Sequence, residues 1–226
     1  MSARTRPIRW GMIGCGDVTE RKSGPAYRLA DGSELAGVFT RRPAQAEDYA
    51  RRHGVPRIFQ TADALIHDPD IDAVYIATPP SSHASYALTT AAAGKPCCVE
   101  KPMALSEAEA NQMKSAFDAA GQPLFVAYYR RCLPRFETIR HWLEAGRIGH
   151  VRQIHWALTR PVDPLHIREN RPWRVTPGAA PRGHFDDLPG HALDLSGHWP
   201  GPLPSAAVRT ATLTGAHPAP YTVSAS

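Results

Sequence analysis

Five short apolar runs, each ending in glycine, proline or charge and four of them followed by a helix-length segment, restrict this chain more than any other feature. They are IRWGMI (8–13), ELAGVF (34–39), DAVYIA (72–77), PCCVE (96–100) and PLFVAYY (123–129). β-branched and aromatic residues mark them as strands. The intervening segments carry helix punctuation. Pro43 opens and Gly54 closes one helix, matching the proline-first, glycine-last asymmetry. The Ala-rich SYALTTAAAG ends at Gly94, and a third helix has Ser106 as N-cap, Glu109 as its capping-box partner and Gly121 as its stop. Residues 134–146 read as a fourth. This rhythm implies βαβ units and a doubly wound, mainly parallel α/β sheet.

Right-handed crossovers bring all the strand C-termini to one edge, where open α/β sheets bind ligands. That edge should therefore hold Gly14 to Thr19, Thr40 to Arg42, Thr78 to Pro80, Glu100 to Pro102, and Tyr129 with Arg130. Glu100 and Lys101 pose the sharpest question, because opposite charges at the end of a buried strand are costly without partners or a task.

Composition narrows the function classes. The chain of 226 residues is 42% hydrophobic and 21% charged, ordinary for a globular protein. No run approaches the ~20 apolar residues of a membrane span, and no apolar signal core follows MSARTRPIRW, so a cytoplasmic location is expected. Cys15, Cys97, Cys98 and Cys132 lack metal-site spacing and read as reduced, and no metal is expected. The net charge of +5 comes from scattered arginines without a basic tract, which argues against nucleic acid.

Gly14-Cys15-Gly16-Asp17-Val18-Thr19 has the form of a dinucleotide loop. The first glycine permits the turn and the second lets backbone N–H groups approach a pyrophosphate, although Thr19 replaces the usual third small residue. An NAD site commonly offers a carboxylate at the end of strand two. Here that strand ends in Thr40-Arg41-Arg42, and forked guanidinium groups suit a 2′-phosphate, so NADP is expected over NAD.

Together with IATPPSSH (76–83), VEKPMA (99–104) and GHFDDLPGHALDL (183–195), the GCGD turn resembles the glucose-fructose oxidoreductase / inositol dehydrogenase (Gfo/Idh/MocA) family. The resemblance implies a Rossmann domain over residues 1–130 and a substrate and oligomerisation domain with an open sheet over 131–226, incomplete relative to the family. It implies hydride transfer between nicotinamide and a sugar- or polyol-like alcohol, in a family whose members form homo-oligomers. Lys101 would stabilise the developing alkoxide, with Glu100 positioning it and Pro102 fixing the backbone through a cis peptide. Asp187 and His191 would complete the catalytic set, His191 as general base because imidazole titrates near neutrality, and a helix would put both on one face. Asp194, one turn on, would fix the helix or a substrate hydroxyl.

The cofactor set is Gly14, Cys15, Gly16, Asp17, Val18, Thr40, Arg41, Arg42, Ala77, Thr78, Pro79, His83, Glu100, Lys101 and Arg130. Because the chain stops at Ser226 inside a strand-like run, a catalytically silent nucleotide-binding protein is the alternative expectation.

Overall fold

In the computed structural model, which describes residues 6–156, 189–199, 208–211 and 222–225, the chain divides into two compact units, Met1–Ala127 and Tyr128–Ser226. In the first, the five apolar runs form β1 (Ile8–Ile13), β2 (Ser33–Phe39), β3 (Ala73–Ile76), β4 (Cys97–Val99) and β5 (Leu124–Val126). They pair in the order β2-β1-β3-β4-β5, each pair parallel. The chain leaves β1 for β2 on one side and returns to β3 on the other, so the strand order reverses between β1 and β3. This is the switch point where doubly wound sheets place a ligand.

Beyond β2 lies one more piece of sheet that the sequence does not advertise. Val38 and Ile58 form a parallel bridge, with Val38 donating to the Arg57 carbonyl at 3.0 Å and Phe59 donating to the Val38 carbonyl at 2.9 Å. Counted as a strand, it completes the six-strand Rossmann order. A single bridge next to Pro56 leaves no alternating pattern to read.

Side chains alternate across the sheet and build a core on each face. Ile13, Val74, Ile76, Cys97 and Val99 pack with Leu65, Ile66, Ala87, Met113 and Phe117 on one side. Met12, Val38 and Tyr75 pack with Cys15, Tyr49 and Ala50 on the other.

The helices of this unit are α1 (Asp17–Arg21), α2 (Ser23–Leu29), α3 (Pro43–His53), α4 (Ala62–His67), α5 (His83–Ala92) and α6 (Glu107–Ala120). Pro43 sits in the first turn of α3, and Gly54 ends it in the left-handed conformation at φ 66°. Ser106 caps α6 by accepting from the Glu109 N–H at 3.2 Å. The Glu109 carboxylate reaches the N–H of Leu105, one residue further out than a standard capping box.

The helix after the glycine loop is broken at Lys22. The Tyr49 hydroxyl donates to the Thr19 carbonyl at 3.1 Å, and a Cβ on Gly24 would lie 2.2 Å from that oxygen. Insertion of a side chain into a helix's hydrogen-bond ladder is a recognised cause of such a kink, and only glycine fits against it.

The second unit contains α7 (Pro134–Glu144), α8 (Pro189–His198), and an antiparallel pair, β6 (Val208–Ala211) with β7 (Thr222–Ala225). The strand-like run near Ser226 thus has a partner. Residues 151–156 have no regular secondary structure. On α8, Ser196 accepts a hydrogen bond from the Trp156 indole at 2.8 Å, while Trp199 stacks near Trp156 and Phe136.

Candidate functional site

Along the carboxyl edge of the first unit's sheet, backbone hydrogen bonds step from one strand end to the next. Gly14 N–H donates to Phe39 at 2.7 Å, Ala77 to Ile13 at 2.8 Å, Glu100 to Ile76 at 2.9 Å, and Ala127 to Val99 at 2.9 Å. The glycine loop, the Thr78 turn and the Glu100-Lys101 turn are therefore fixed side by side by the sheet itself.

Gly14 has φ 103°, and a Cβ there would lie 2.6 Å from the Ala77 carbonyl oxygen, so both conformation and space demand glycine. Gly16 is different. Its backbone is extended (φ −93°, ψ −171°), and a Cβ would meet nothing within 4 Å. The protein's own packing does not need glycine there, whereas a phosphate approaching the backbone would, so this loop fits a dinucleotide pyrophosphate. Thr19, the departure from the usual small residue, is fully buried and donates its hydroxyl to the Gly16 carbonyl at 2.7 Å. It closes the loop from beneath.

Cys15 is buried, and burial, reinforced by the Glu20 charge, pushes its thiol up to about 12, so its side chain is packing and not a nucleophile. Asp17 and Val18 open α1, Asp17 being exposed. Gln45 of α3 donates to the Cys15 carbonyl at 2.6 Å, a support for the loop that carried no sequence signal. A second tie joins α1 to α3: Arg52 grips Glu20, whose carboxyl falls to about 2, chiefly through that bond.

Thr40, Arg41 and Arg42 follow β2, as expected, and both arginines are exposed. Among the described residues neither guanidinium is in an ion pair with a carboxylate.

Thr78 and Pro79 follow β3, where Ser82 bonds the Thr78 hydroxyl at 2.8 Å. His83 is fully buried at the start of α5, with Nε2 2.9 Å from the Thr78 carbonyl and Nδ1 2.9 Å from the Pro102 carbonyl. Burial pulls its pKa below the ordinary imidazole value, against the opposing pull of the backbone carbonyls. A neutral ring has one N–H, so it serves one carbonyl while bridging two motifs. The Lys101–Pro102 peptide is cis.

Glu100, whose partners the sequence left open, has its Oε1 2.7 Å from the Tyr75 hydroxyl and its Oε2 3.2 Å from the Lys101 N–H. The charge at the strand end is thus paid for by a buried phenol and a backbone donor.

In the second unit, His191 lies in α8 at 4% exposure, and the rings of Tyr128 and Tyr129 meet it edge-on at 5.9 and 5.1 Å. Asp187 lies outside the described residues, as does the expected helical pairing of Asp187 with His191; α8 begins at Pro189. Asp194 is held by Arg131, whose Nε lies 2.8 and 3.0 Å from its two oxygens. Asp194 therefore anchors the helix, and its partner is the neighbour of Arg130, the residue the sequence singled out. Arg130 lies in the Tyr129–Cys132 turn, its buried Nε without a hydrogen-bond partner among the described residues.

Comparison with known proteins places this geometry. The model of the oxidoreductase family with an NAD-binding Rossmann fold (GFO/IDH/MocA) matches residues 8–128, and that of the GFO/IDH/MocA C-terminal domain matches residues 136–225. Oxidoreductase P35 of Formosa agariphila is 41% identical over 196 residues, covering 86% of this chain and 61% of that protein. The crystal structure of the WlbA dehydrogenase from Bordetella pertussis with NADH and UDP-GlcNAcA superposes with a TM-score of 0.85 at 28% identity, covering 99% of this chain and 64% of that one. An aldose-aldose oxidoreductase from Caulobacter crescentus, complexed with glycerol, gives 0.78 at 26% identity, covering 92% and 62%. The chain thus spans somewhat under two thirds of these relatives. Among the described residues no helix is long and apolar enough to cross a membrane.

Proposed function

Because this chain belongs to the Gfo/Idh/MocA oxidoreductases, a family with an NAD-binding Rossmann fold, we propose that it transfers a hydride between NADP and a sugar- or polyol-like alcohol or carbonyl. The observation that carries this reading is the carboxyl edge of the sheet. There an exposed arginine pair, an open glycine turn and the Glu100-Lys101 turn follow β2, β1 and β4 along one edge, with the Thr78 turn after β3 between the last two.

When bound, the nicotinamide supplies a hydride acceptor or donor. The loop from Gly14 to Val18 would hold the pyrophosphate through backbone N–H groups, with Thr40, Ala77, Thr78 and Pro79 walling the nucleotide. Arg41 and Arg42 would take the 2′-phosphate, since a guanidinium fork matches phosphate oxygens. This choice rests on the arginines alone; the WlbA structure holds NADH.

In the oxidative direction, the Lys101 ammonium would stabilise the negative charge that grows on the substrate oxygen as the hydride leaves its carbon. His191 would take the hydroxyl proton, and Asp187 would orient it or bind substrate. WlbA with its nucleotide sugar and the aldose-aldose enzyme support carbohydrate-like substrates as the class.

Fluorescence titration with NADPH and NADH on wild type and Arg41→Ala tests the cofactor assignment. The expected result is NADPH affinity falling about tenfold in the variant with NADH affinity unchanged, the size of one charged hydrogen-bonding contact. Equal affinities for both nucleotides in wild type would refute it. A panel of sugars and polyols with NADP, read by nicotinamide absorbance, tests the reaction. No turnover by protein that binds NADPH would favour a silent nucleotide-binding protein.

A further inference from the structure

Tyr75 lies in the middle of β3, is 1% exposed, and packs its ring against Tyr27 at 4.6 Å with a 38° tilt, and Tyr27 in turn meets Trp10 at 4.7 Å. For that packing alone a phenylalanine would serve as well, and a buried hydroxyl is a cost unless bonded. Here the hydroxyl is bonded twice. It lies 2.7 Å from Oε1 of Glu100 and 2.8 Å from Oγ of Ser23.

A carboxylate only accepts, so the single phenol proton goes to Glu100 and the Ser23 hydroxyl supplies the second bond. Burial, with the Glu100 charge adding to it, drives the phenol's pKa far above its ordinary value, so the proton stays on the oxygen. The register explains the reach. Tyr75 pairs with Cys98, and Glu100 is two residues on, on the same face, a diagonal position within range of an aromatic side chain.

We propose that Tyr75, braced by Ser23, is a positioning residue that holds Glu100 and through it sets the Lys101 turn. This rests on reading Lys101 as the catalytic cation. Ser23 begins α2, immediately after the Lys22 break that follows the glycine loop. The phenol therefore joins the segment behind the nucleotide loop to the turn carrying the ammonium. On the other side, His83 faces the Pro102 carbonyl, so Lys101 sits between two residues with buried partners. No contact of Tyr75 with substrate or nucleotide is required; it acts through Glu100.

The test is a double-mutant cycle on Tyr75→Phe and Glu100→Ala, read by the rate at which limiting acetic anhydride acetylates Lys101 across the alkaline pH range, mapped by mass spectrometry. Tyr75→Phe keeps the ring packing and removes only the hydroxyl. The expected result is a change of about threefold or more in Lys101 reactivity and a displaced pH profile, with the melting temperature within a few degrees of wild type. With Glu100→Ala already present, no acceptor for the phenol remains, so Tyr75→Phe should add nothing, because coupled residues are non-additive. Ser23→Ala should shift the profile the same way by less, and it preserves the test if Tyr75→Phe does not fold.

An unchanged Lys101 profile, or fully additive effects, would overturn the proposal and leave Tyr75 as core packing. NADPH titration of the same proteins keeps this separate from the proposed function. Wild type that fails to bind NADPH would sink the oxidoreductase reading while the Lys101 comparison stands.

Discussion

In the first unit, Lys101 hangs from a strand end pinned by main-chain hydrogen bonds to its neighbours; in the second, His191 sits on a helix held by side chains. The bonds from Gly14 to Phe39, Ala77 to Ile13 and Glu100 to Ile76 need no particular residue types. They follow once parallel strands pair in that order. His191 depends on residue identities: Arg131 on Asp194, two tyrosine rings on its imidazole, and Trp156 on Ser196. A site built on the backbone tolerates drift in most side chains. One built on side chains can be lost through a single change.

The comparison can be broken first at its most demanding point. Lys101→Ala should lower turnover about 100- to 1000-fold, the scale of losing one preorganised charge-stabilising donor, with NADPH affinity nearly unchanged. Steady-state kinetics beside a nucleotide titration checks it. A comparable loss of nucleotide affinity would mean the residue binds cofactor and does no chemistry.

Arg131→Ala strikes the side-chain-held region. The Asp194 side chain is 4% exposed and would lose its cation, but Arg131 is itself 45% exposed. The cost should therefore fall below the ~3–5 kcal/mol of breaking a fully buried pair, at about 2 kcal/mol by denaturant unfolding. A neutral result would show that α8 does not rest on this pair.

Acid should separate the two regions further. His83 is buried with a lowered pKa, so between that value and the ~6.5 of an unfolded histidine the unfolded chain binds more protons. Stability is then fully present above that range and falls as pH drops through it. Glu20, lowered to about 2 from 4.5, adds a second loss as pH falls from the upper value toward the lower. Unfolding midpoints against pH for wild type and His83→Gln check the sign, the variant losing the first phase only. Smaller still, Gln45→Ala should weaken NADPH binding about fivefold, the worth of one hydrogen bond to the Cys15 carbonyl.

The same contrast decides what could be read in advance. Strand ends are punctuated by Gly, Pro and charge because the chain must turn there, so the parallel sheet and the turns along its carboxyl edge were legible, whereas the strand order that sets the switch point was not. Helix ends at Gly54 and Gly121 were legible for the same reason, as both adopt positive φ. The Val38–Ile58 bridge escaped because one pair of residues shows no period. The Tyr75 partner of Glu100, and Ser23 that braces it, escaped because they lie 25 and 77 residues from Glu100 and look like a core aromatic and a helix start. Arg131 was passed over for Arg130, since nothing local tells which of two adjacent arginines faces a carboxylate 63 residues on.

The two loop glycines give the most direct measurement. Gly14 is demanded by the fold, but a methyl group at Gly16 would enter open space with its backbone conformation unchanged. If a nucleotide fills that space, Gly16→Ala should unfold within about 0.5 kcal/mol of wild type yet bind NADPH at least about tenfold more weakly. Undiminished NADPH affinity in a normally stable Gly16→Ala protein would contradict the account.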